Sequence, residues 1–252
     1  MNFKENFSFY KESPSIEKKD QIKYEHPFVC LIDKETMDEK TVEEIKKIKE
    51  DGQYVNFCAG REFAKQYEMF NQDRGTYIIS SPNPENKYSE GFFNCTGLVG
   101  IGIDRYTKER VSFLSHQNPE IFLGKEKQNF KHDLERVLKT FKEKIEPNSL
   151  YISGFGGQYE ESYQIEYLRS VKFLSGIVEN SLGSQLPFIA GPNASFNTYN
   201  NKVVGLTAPT EIYVDTKQNR IYLVRPHQEN NSMNHPFTKD TMLKQDLRWR
   251  RE

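Results

Sequence analysis

A cysteine and a histidine flank what the sequence predicts to be a single β-hairpin. Apolar and small residues alternate through 99–103 after Cys95, and the segment that ends at His116 alternates again, which is typical of half-buried strands. The midpoint of the two positions, (95 + 116)/2 = 105.5, lies close to a polar turn centred near residue 107. Residues equidistant from such a turn face each other. We therefore expect Cys95 and His116 to be cross-strand neighbours to within a few positions, which a bulge could bring closer.

A thiol beside an imidazole is the minimum apparatus for nucleophilic acyl chemistry. In that role His116 would accept the thiol proton, stabilise the thiolate and later protonate the leaving group. A third group should orient the imidazole, and Gln117 or a backbone carbonyl could do so. The alternative interpretation is structural, because a lone cysteine is often a small buried hydrophobe and a histidine at a strand end often serves at the surface.

The composition describes a soluble chain without an obvious polyanionic or membrane partner. The 252 residues suit one large domain or two small ones. A formal net charge of −1 gives no electrostatic case for nucleic acid or an anionic membrane. No apolar run is long enough for a membrane span, and the first residues lack the apolar core of a secretory signal. We expect a cytoplasmic protein, with export as an effector without a classical signal left open.

The chain has three cysteines, Cys30, Cys58 and Cys95. This odd, low count argues against a disulfide framework and for a reducing compartment. Cys30 and Cys58 lie in apolar runs and are expected to be core residues. Close ligand pairs such as CxxC or HxxxH do not occur, so we expect no zinc site and no other cofactor.

The order of elements predicts a mixed α+β domain. Helices are predicted over 33–51, 61–70, 126–145 and 160–182, and strands over 26–32, 54–58, 76–79, the hairpin, 150–152, 188–189, 203–206, 211–214 and 220–224, with a loop over 81–90. The two later helices carry apolar residues every three to four positions. We expect a β-sandwich-like core with these two long amphipathic helices packed outside. Residues 1–75 would form an N-terminal extension packed on the core, 76–226 the main domain, and 227–252 a polar tail.

This order resembles a known enzyme superfamily from about Gly91 to Arg225. A Cys opens an apolar strand, a His ends the next, and Phe155-Gly156-Gly157 and the closing hairpin around Asp215 follow. In these features the chain resembles the chemoreceptor glutamine deamidases (CheD), the N-terminal asparagine amidohydrolases and the deamidating toxins of the cytotoxic necrotizing factor type. The match departs from the family before Cys95, where Asn94 stands in place of a small residue.

The resemblance assigns roles to particular residues. Cys95 and His116 fall on the nucleophile and base of these enzymes, and Ser89 falls near their hydroxyl residue, 95 − 89 = 6 positions before the nucleophile. We expect the backbone N–H groups of Cys95 and Thr96 to hold the oxyanion. Gly156 and Gly157 would either form a tight turn or let a substrate backbone approach closely. With Gln117 they are the substrate-binding candidates.

The expected reaction is hydrolysis of a glutamine or asparagine side-chain carboxamide on a protein or peptide, without metal or organic cofactor. A thioester at Cys95 would serve equally an internal-glutamine deamidase, an N-terminal amidase, a cysteine protease or a transglutaminase. An alternative from another class is a non-catalytic protein-binding module on a deamidase-like fold. The sequence indicates no particular oligomeric state.

Overall fold

A computed structural model describes residues 25–225, apart from 57–60, 72–75, 123, 158–163, 190–196, 200–201 and 205–208. Residues 1–24 of the predicted N-terminal extension, the polar tail from 227 and Cys58 lie outside the described residues. The four α-helices of the described chain are α1 (Glu39–Asp51), α2 (Arg61–Gln66), α3 (Lys127–Lys144) and α4 (Gln164–Leu182).

The strands of the described chain are β1 (Phe28–Asp33), β2 (Gln53–Tyr54), β3 (Phe70–Asn71), β4 (Tyr77–Ile79), β5 (Lys87–Glu90), β6 (Thr96–Ile103), β7 (Arg110–Gln117), β8 (Tyr151–Gly156), β9 (Asn197–Tyr199), β10 (Lys202–Val204), β11 (Glu211–Asp215) and β12 (Arg220–Arg225). The first sheet has the order β1-β12-β11-β5-β2, and the second has the order β3-β4-β7-β6-β8. β9 and β10 form a separate pair. β1 and β2, from the predicted extension, are the edge strands of the first sheet.

The two sheets pack face to face, because one apolar cluster draws on both. Val99 and Leu114 of the second sheet share this cluster with Ile212 and Ile221 of the first. Successive side chains of a strand point to opposite faces of the sheet. The residues that adjoin Val99 and Leu114 in the sequence therefore face away from the interior of the sandwich. Phe113, for example, packs with the helices on the outer face of the second sheet.

Helices cover both outer faces of this sandwich. The predicted apolar faces of α3 and α4 pack on the second sheet, with these residues buried: Phe130, Leu134, Val137 and Phe141 of α3, and Tyr167 and Leu174 of α4. Val171, predicted on the apolar face of α4, is half-buried. On the other side, Ile45 and Ile48 of α1 pack against Tyr88 and Tyr213 of the first sheet. The α+β class and the two long outer helices are therefore confirmed.

One predicted loop is wrong over its last four residues. The sequence of β5, Lys-Tyr-Ser-Glu, has the polar content of a loop, but β5 pairs with β11 on one side and β2 on the other. Lys87 is fully buried there because its ammonium donates to the carbonyl oxygens of Asn83 and Glu85 and to Oδ1 of Asn83. A buried lysine whose Nζ is hydrogen-bonded in this way is invisible to a hydropathy pattern.

Candidate active site

His116 lies near the end of β7 and faces the interior of the sandwich. In the register of the second sheet it stands opposite Gly97 on one side and Ile78 on the other. It is two residues beyond Leu114, which belongs to the apolar cluster between the sheets, so alternation directs both side chains to this interior. Only 1% of His116 is exposed.

Ser89, on β5 of the opposite sheet, reaches the imidazole directly. Its Oγ lies 3.0 Å from Nδ1 of His116 and donates to the carbonyl oxygen of Val55 at 2.5 Å. A serine hydroxyl has a single proton, and a carbonyl can only accept. Because Val55 receives that proton, Nδ1 of His116 must be the donor to Ser89. In the neutral imidazole, Nε2 is then the basic nitrogen.

Aromatic side chains pack beside the imidazole of His116. The ring of Phe92 stacks on His116 with centroids 4.0 Å apart, and Phe155 meets Phe92 edge-on. Gly97 leaves room for this packing, since a Cβ there would lie 2.3 Å from the Phe155 ring. Burial lowers the pKa of His116 to about 3, because desolvation disfavours the charged form. The imidazole is therefore neutral at neutral pH.

Cys95 immediately precedes β6 and lies two residues before Gly97, the cross-strand neighbour of His116. Two residues along an extended chain return to the same face, and Cys95 belongs to the cluster between the sheets with Phe92. Cys95 is therefore a diagonal neighbour of His116 across the strand pair, and contact between its Sγ and the imidazole stays a prediction. Cys95 is 4% exposed, and its Sγ lies 3.6 Å from Oδ1 of Asn94.

The glycines at the end of β8 hold the backbone of Cys95. The N–H of Gly157 donates to the carbonyl oxygen of Cys95 at 2.7 Å. Gly156 has φ +77°, and a Cβ there would lie 2.6 Å from the same oxygen. Gly157 has φ +96°, and its Cβ would lie 2.6 Å from the ring of Tyr167. Only glycine permits this close approach of β8 to the cysteine. Contact of these glycines with a substrate stays a prediction.

Thr96 and Gln117 occupy the other face of the same strand ends. Gln117 follows His116 directly and so points away from the imidazole, and its Nε2 donates to Oγ1 of Thr96 at 3.2 Å. The orienting group at Nδ1 is therefore Ser89, whereas Gln117 lies on the side of α4. The oxyanion role of the Cys95 and Thr96 N–H groups and the substrate contact of Gln117 stay predictions.

Sequence reasoning missed Phe92, Val55 and Asn94 as components of the site. The Val55 carbonyl is 34 residues from Ser89 along the chain, and no local pattern relates them. Phe92 reads as one more apolar residue of the loop before Cys95. Asn94 is adjacent to Cys95 in the sequence, and this adjacency is the one sequence feature that indicates a place for Asn94 in the site.

The described residues contain no group of three or more His, Cys, Asp and Glu side chains placed to hold a metal ion. Within the same residues no helix combines the length and apolar content of a membrane span. Comparison with protein-family models, curated proteins and solved structures found no significant match to the chain.

Proposed function

We propose that this chain is a cysteine-dependent hydrolase that deamidates a glutamine or asparagine side chain of a protein or peptide. The observation that supports it best is the Val55–Ser89–His116 chain of hydrogen bonds. It assigns the proton of the neutral imidazole to Nδ1 and leaves Nε2 without a proton, in a side chain on the same interior face as Cys95, which supports the role of base for Nε2. A base held by a third group is the arrangement that activates a nucleophile.

In the proposed reaction, Sγ of Cys95 attacks the carboxamide carbon while its proton passes to Nε2 of His116. The N–H groups of Cys95 and Thr96 donate to the oxyanion of the tetrahedral intermediate. The carbon–nitrogen bond then breaks, the proton on Nε2 goes to the departing nitrogen, and ammonia leaves a thioester on Cys95. Water attacks the thioester with His116 again as base, which releases the carboxylate and restores the thiol.

The low pKa of His116 bears on the resting state of the pair. A buried imidazole with a pKa of about 3 does not form a stable imidazolium at neutral pH. The pair should therefore rest as neutral thiol and neutral imidazole, and the imidazolium forms only as the thiol attacks. In that state Nδ1–H donates to Ser89 more strongly, because hydrogen bonds from a charged donor are stronger.

The burial of both side chains favours a second candidate function. With Cys95 and His116 each less than 5% exposed, the pair could instead be part of the core of a non-catalytic protein-binding module. Transfer of the acyl group from the Cys95 thioester to an amine, with release of the thiol, would use the same residues as deamidation, and so would cleavage of a peptide bond. The products separate these reactions, since only deamidation releases ammonia and leaves a carboxylate.

The test is ammonia release from a library of peptides that carry glutamine or asparagine at internal and N-terminal positions. Wild type should release ammonia, and Cys95→Ser should not, because a serine hydroxyl is a far weaker nucleophile at neutral pH. Cys30→Ser is the matched control, since Cys30 is half-buried in the edge strand β1. Equal activity in wild type and Cys95→Ser would place the chemistry elsewhere. Binding of peptides without ammonia release would favour the binding module.

A further inference from the structure

A groove of about 470 Å³ runs between α3 and α4 on the outer face of the second sheet. Its floor is apolar and contains Phe122, Phe173 and Ile177. Phe122 and Ile177 belong to the core, and the partly buried Phe173 packs against them. Gly176 lies at the floor, and a Cβ there would meet no atom within 4 Å. The α3–α4 groove therefore has room for side chains of another molecule.

The rim of the α3–α4 groove is cationic. Lys127, Lys131, Arg169 and Lys172 line it, and no carboxylate is among its lining residues. Lys131 lies 3.7 Å from Glu135, but the other three have no ion pair within the described residues. Lys127 instead lies over the ring of Phe173, with Nζ 4.8 Å from the centroid. Unpaired cations around an apolar floor fit an anionic, partly apolar occupant.

The helix α4 lines both the groove and a small pocket beside Asn94, the residue before Cys95. The helix α4 contributes Arg169 and Lys172 to the groove, and one turn earlier it contributes Glu166 and Tyr167 to a small pocket that Asn94 also lines. A protein segment bound along α4 would therefore lie next to the strand end that carries Cys95.

We propose that the α3–α4 groove docks an acidic segment of a protein, with carboxylates on the cationic rim and an apolar side chain on the floor. The chain's own ends do not complement it, since residues 1–24 and 226–252 each contain five Lys and Arg and four Asp and Glu. The docked protein would be the substrate of the proposed hydrolase, and this identification rests on the proposed function. The docking step does not depend on catalysis.

The experiment is fluorescence anisotropy with the full chain and a labelled 16-residue peptide in which Glu alternates with Leu and Phe. A second peptide has Gln in place of Glu. Two variants test the groove independently: Arg169→Gln with Lys172→Gln removes rim charge, and Gly176→Leu fills the floor in open space. Lys139→Gln is the matched control, because Lys139 is exposed on α3 outside the groove. Vesicles containing phosphatidylserine provide a lipid comparison.

We expect the acidic peptide to bind wild type and Lys139→Gln equally, with affinity that falls as salt rises. Both groove variants should weaken binding roughly tenfold or more, and the Gln peptide should bind far less. Equal binding by the groove variants, equal binding of the Gln peptide, or absence of peptide binding would each overturn the proposal. Binding to the vesicles instead of the peptide would indicate a membrane surface. Binding of the acidic peptide, together with no ammonia release from the glutamine and asparagine library, would contradict the proposed function alone.

Discussion

Ser89 Oγ and His116 Nδ1 lie 3.0 Å apart, although they belong to opposite sheets of the sandwich. Both side chains are buried, and Ser89 gives its only proton to Val55. The contact therefore does two things: it selects the Nδ1–H tautomer of His116, and it joins the two sheets close to Cys95, the residue before β6. An isolated histidine at a strand end would have neither property.

Ser89→Ala should lower the rate of ammonia release by roughly 10- to 100-fold, part of the 10²- to 10⁴-fold that a general base contributes. The substitution leaves Nδ1–H of His116 buried beside a methyl group, so the imidazole loses its fixed orientation and tautomer. Ser89→Thr keeps the hydroxyl and should retain most of the activity. Steady-state kinetics on the best peptide, with kcat and KM reported separately, gives the measurement.

Ser80→Ala controls for loss of a buried serine. Ser80 is also fully buried in the sandwich, and its Oγ accepts from the N–H of Leu114 at 2.9 Å. This variant should lose stability as Ser89→Ala does but keep its kcat. Equal kcat losses in the two variants would mean that Ser89 acts through stability alone.

The elements that carry a strong period could be predicted from the sequence. The apolar stripe of α3 and the alternation through β6 and β7 are local, and local patterns determine such elements. β5 could not be predicted in the same way. Its four residues are mostly polar, and it is a strand because β11, more than a hundred residues later, pairs with it.

The same distinction applies to the site. Cys95 and His116 were found from residue type and their distances from one turn, which is information within a hairpin. Ser89 was suggested by family spacing, but its contact depends on how the sheets pack. The Val55 carbonyl and the Phe92 ring are brought to the imidazole by tertiary structure alone, so no spacing in the sequence reports them.

His116 should make the fold less stable in acid. Its pKa is about 3 in the folded protein, below the ordinary value near 6.5 of an unfolded chain, so the unfolded state binds the proton more readily. The stability that this difference contributes is complete above pH 6.5 and is lost as pH falls toward 3. The loss should be about 1.4 kcal/mol per pH unit. Urea unfolding at pH 7 and pH 4.5 measures it.

His116→Gln should remove the part of the pH dependence of the unfolding free energy that comes from protonation of His116. Between pH 7 and 4.5, wild type should lose about 2–3 kcal/mol more than His116→Gln. His132→Gln is the control, because His132 is exposed on α3, and it should behave as wild type. Identical losses in wild type and His116→Gln would show that His116 is not held neutral by burial.

Gly176→Ala should stabilise the protein by about 0.5–1 kcal/mol, since glycine is unfavourable inside a helix and a methyl group here meets nothing. Gly100→Ala is the contrasting variant, because its Cβ would lie 2.2 Å from the ring of Phe113, and it should destabilise. Thermal unfolding of both variants gives the comparison. A destabilised Gly176→Ala would mean that the floor of the α3–α4 groove is not open.

Gly156→Ala should impair ammonia release beyond its effect on stability. A Cβ at Gly156 would lie 2.6 Å from the carbonyl oxygen of Cys95, and φ is +77°. The backbone of the nucleophile must shift to relieve this contact, and small misplacements of reacting groups cost up to roughly 100-fold in rate. Kinetics and urea unfolding of the same preparation separate activity from stability.

Gly183→Ala isolates the contribution of the contact with Cys95. Gly183 also has positive φ, +69°, but a Cβ there would meet no atom within 4 Å. Both variants carry the strain of a left-handed alanine, of order 1 kcal/mol, and only Gly156→Ala pushes on the cysteine. Gly183→Ala should therefore lose stability and keep kcat, whereas Gly156→Ala should lose both. If kcat is unchanged in Gly156→Ala, the position of the Cys95 backbone does not limit the reaction.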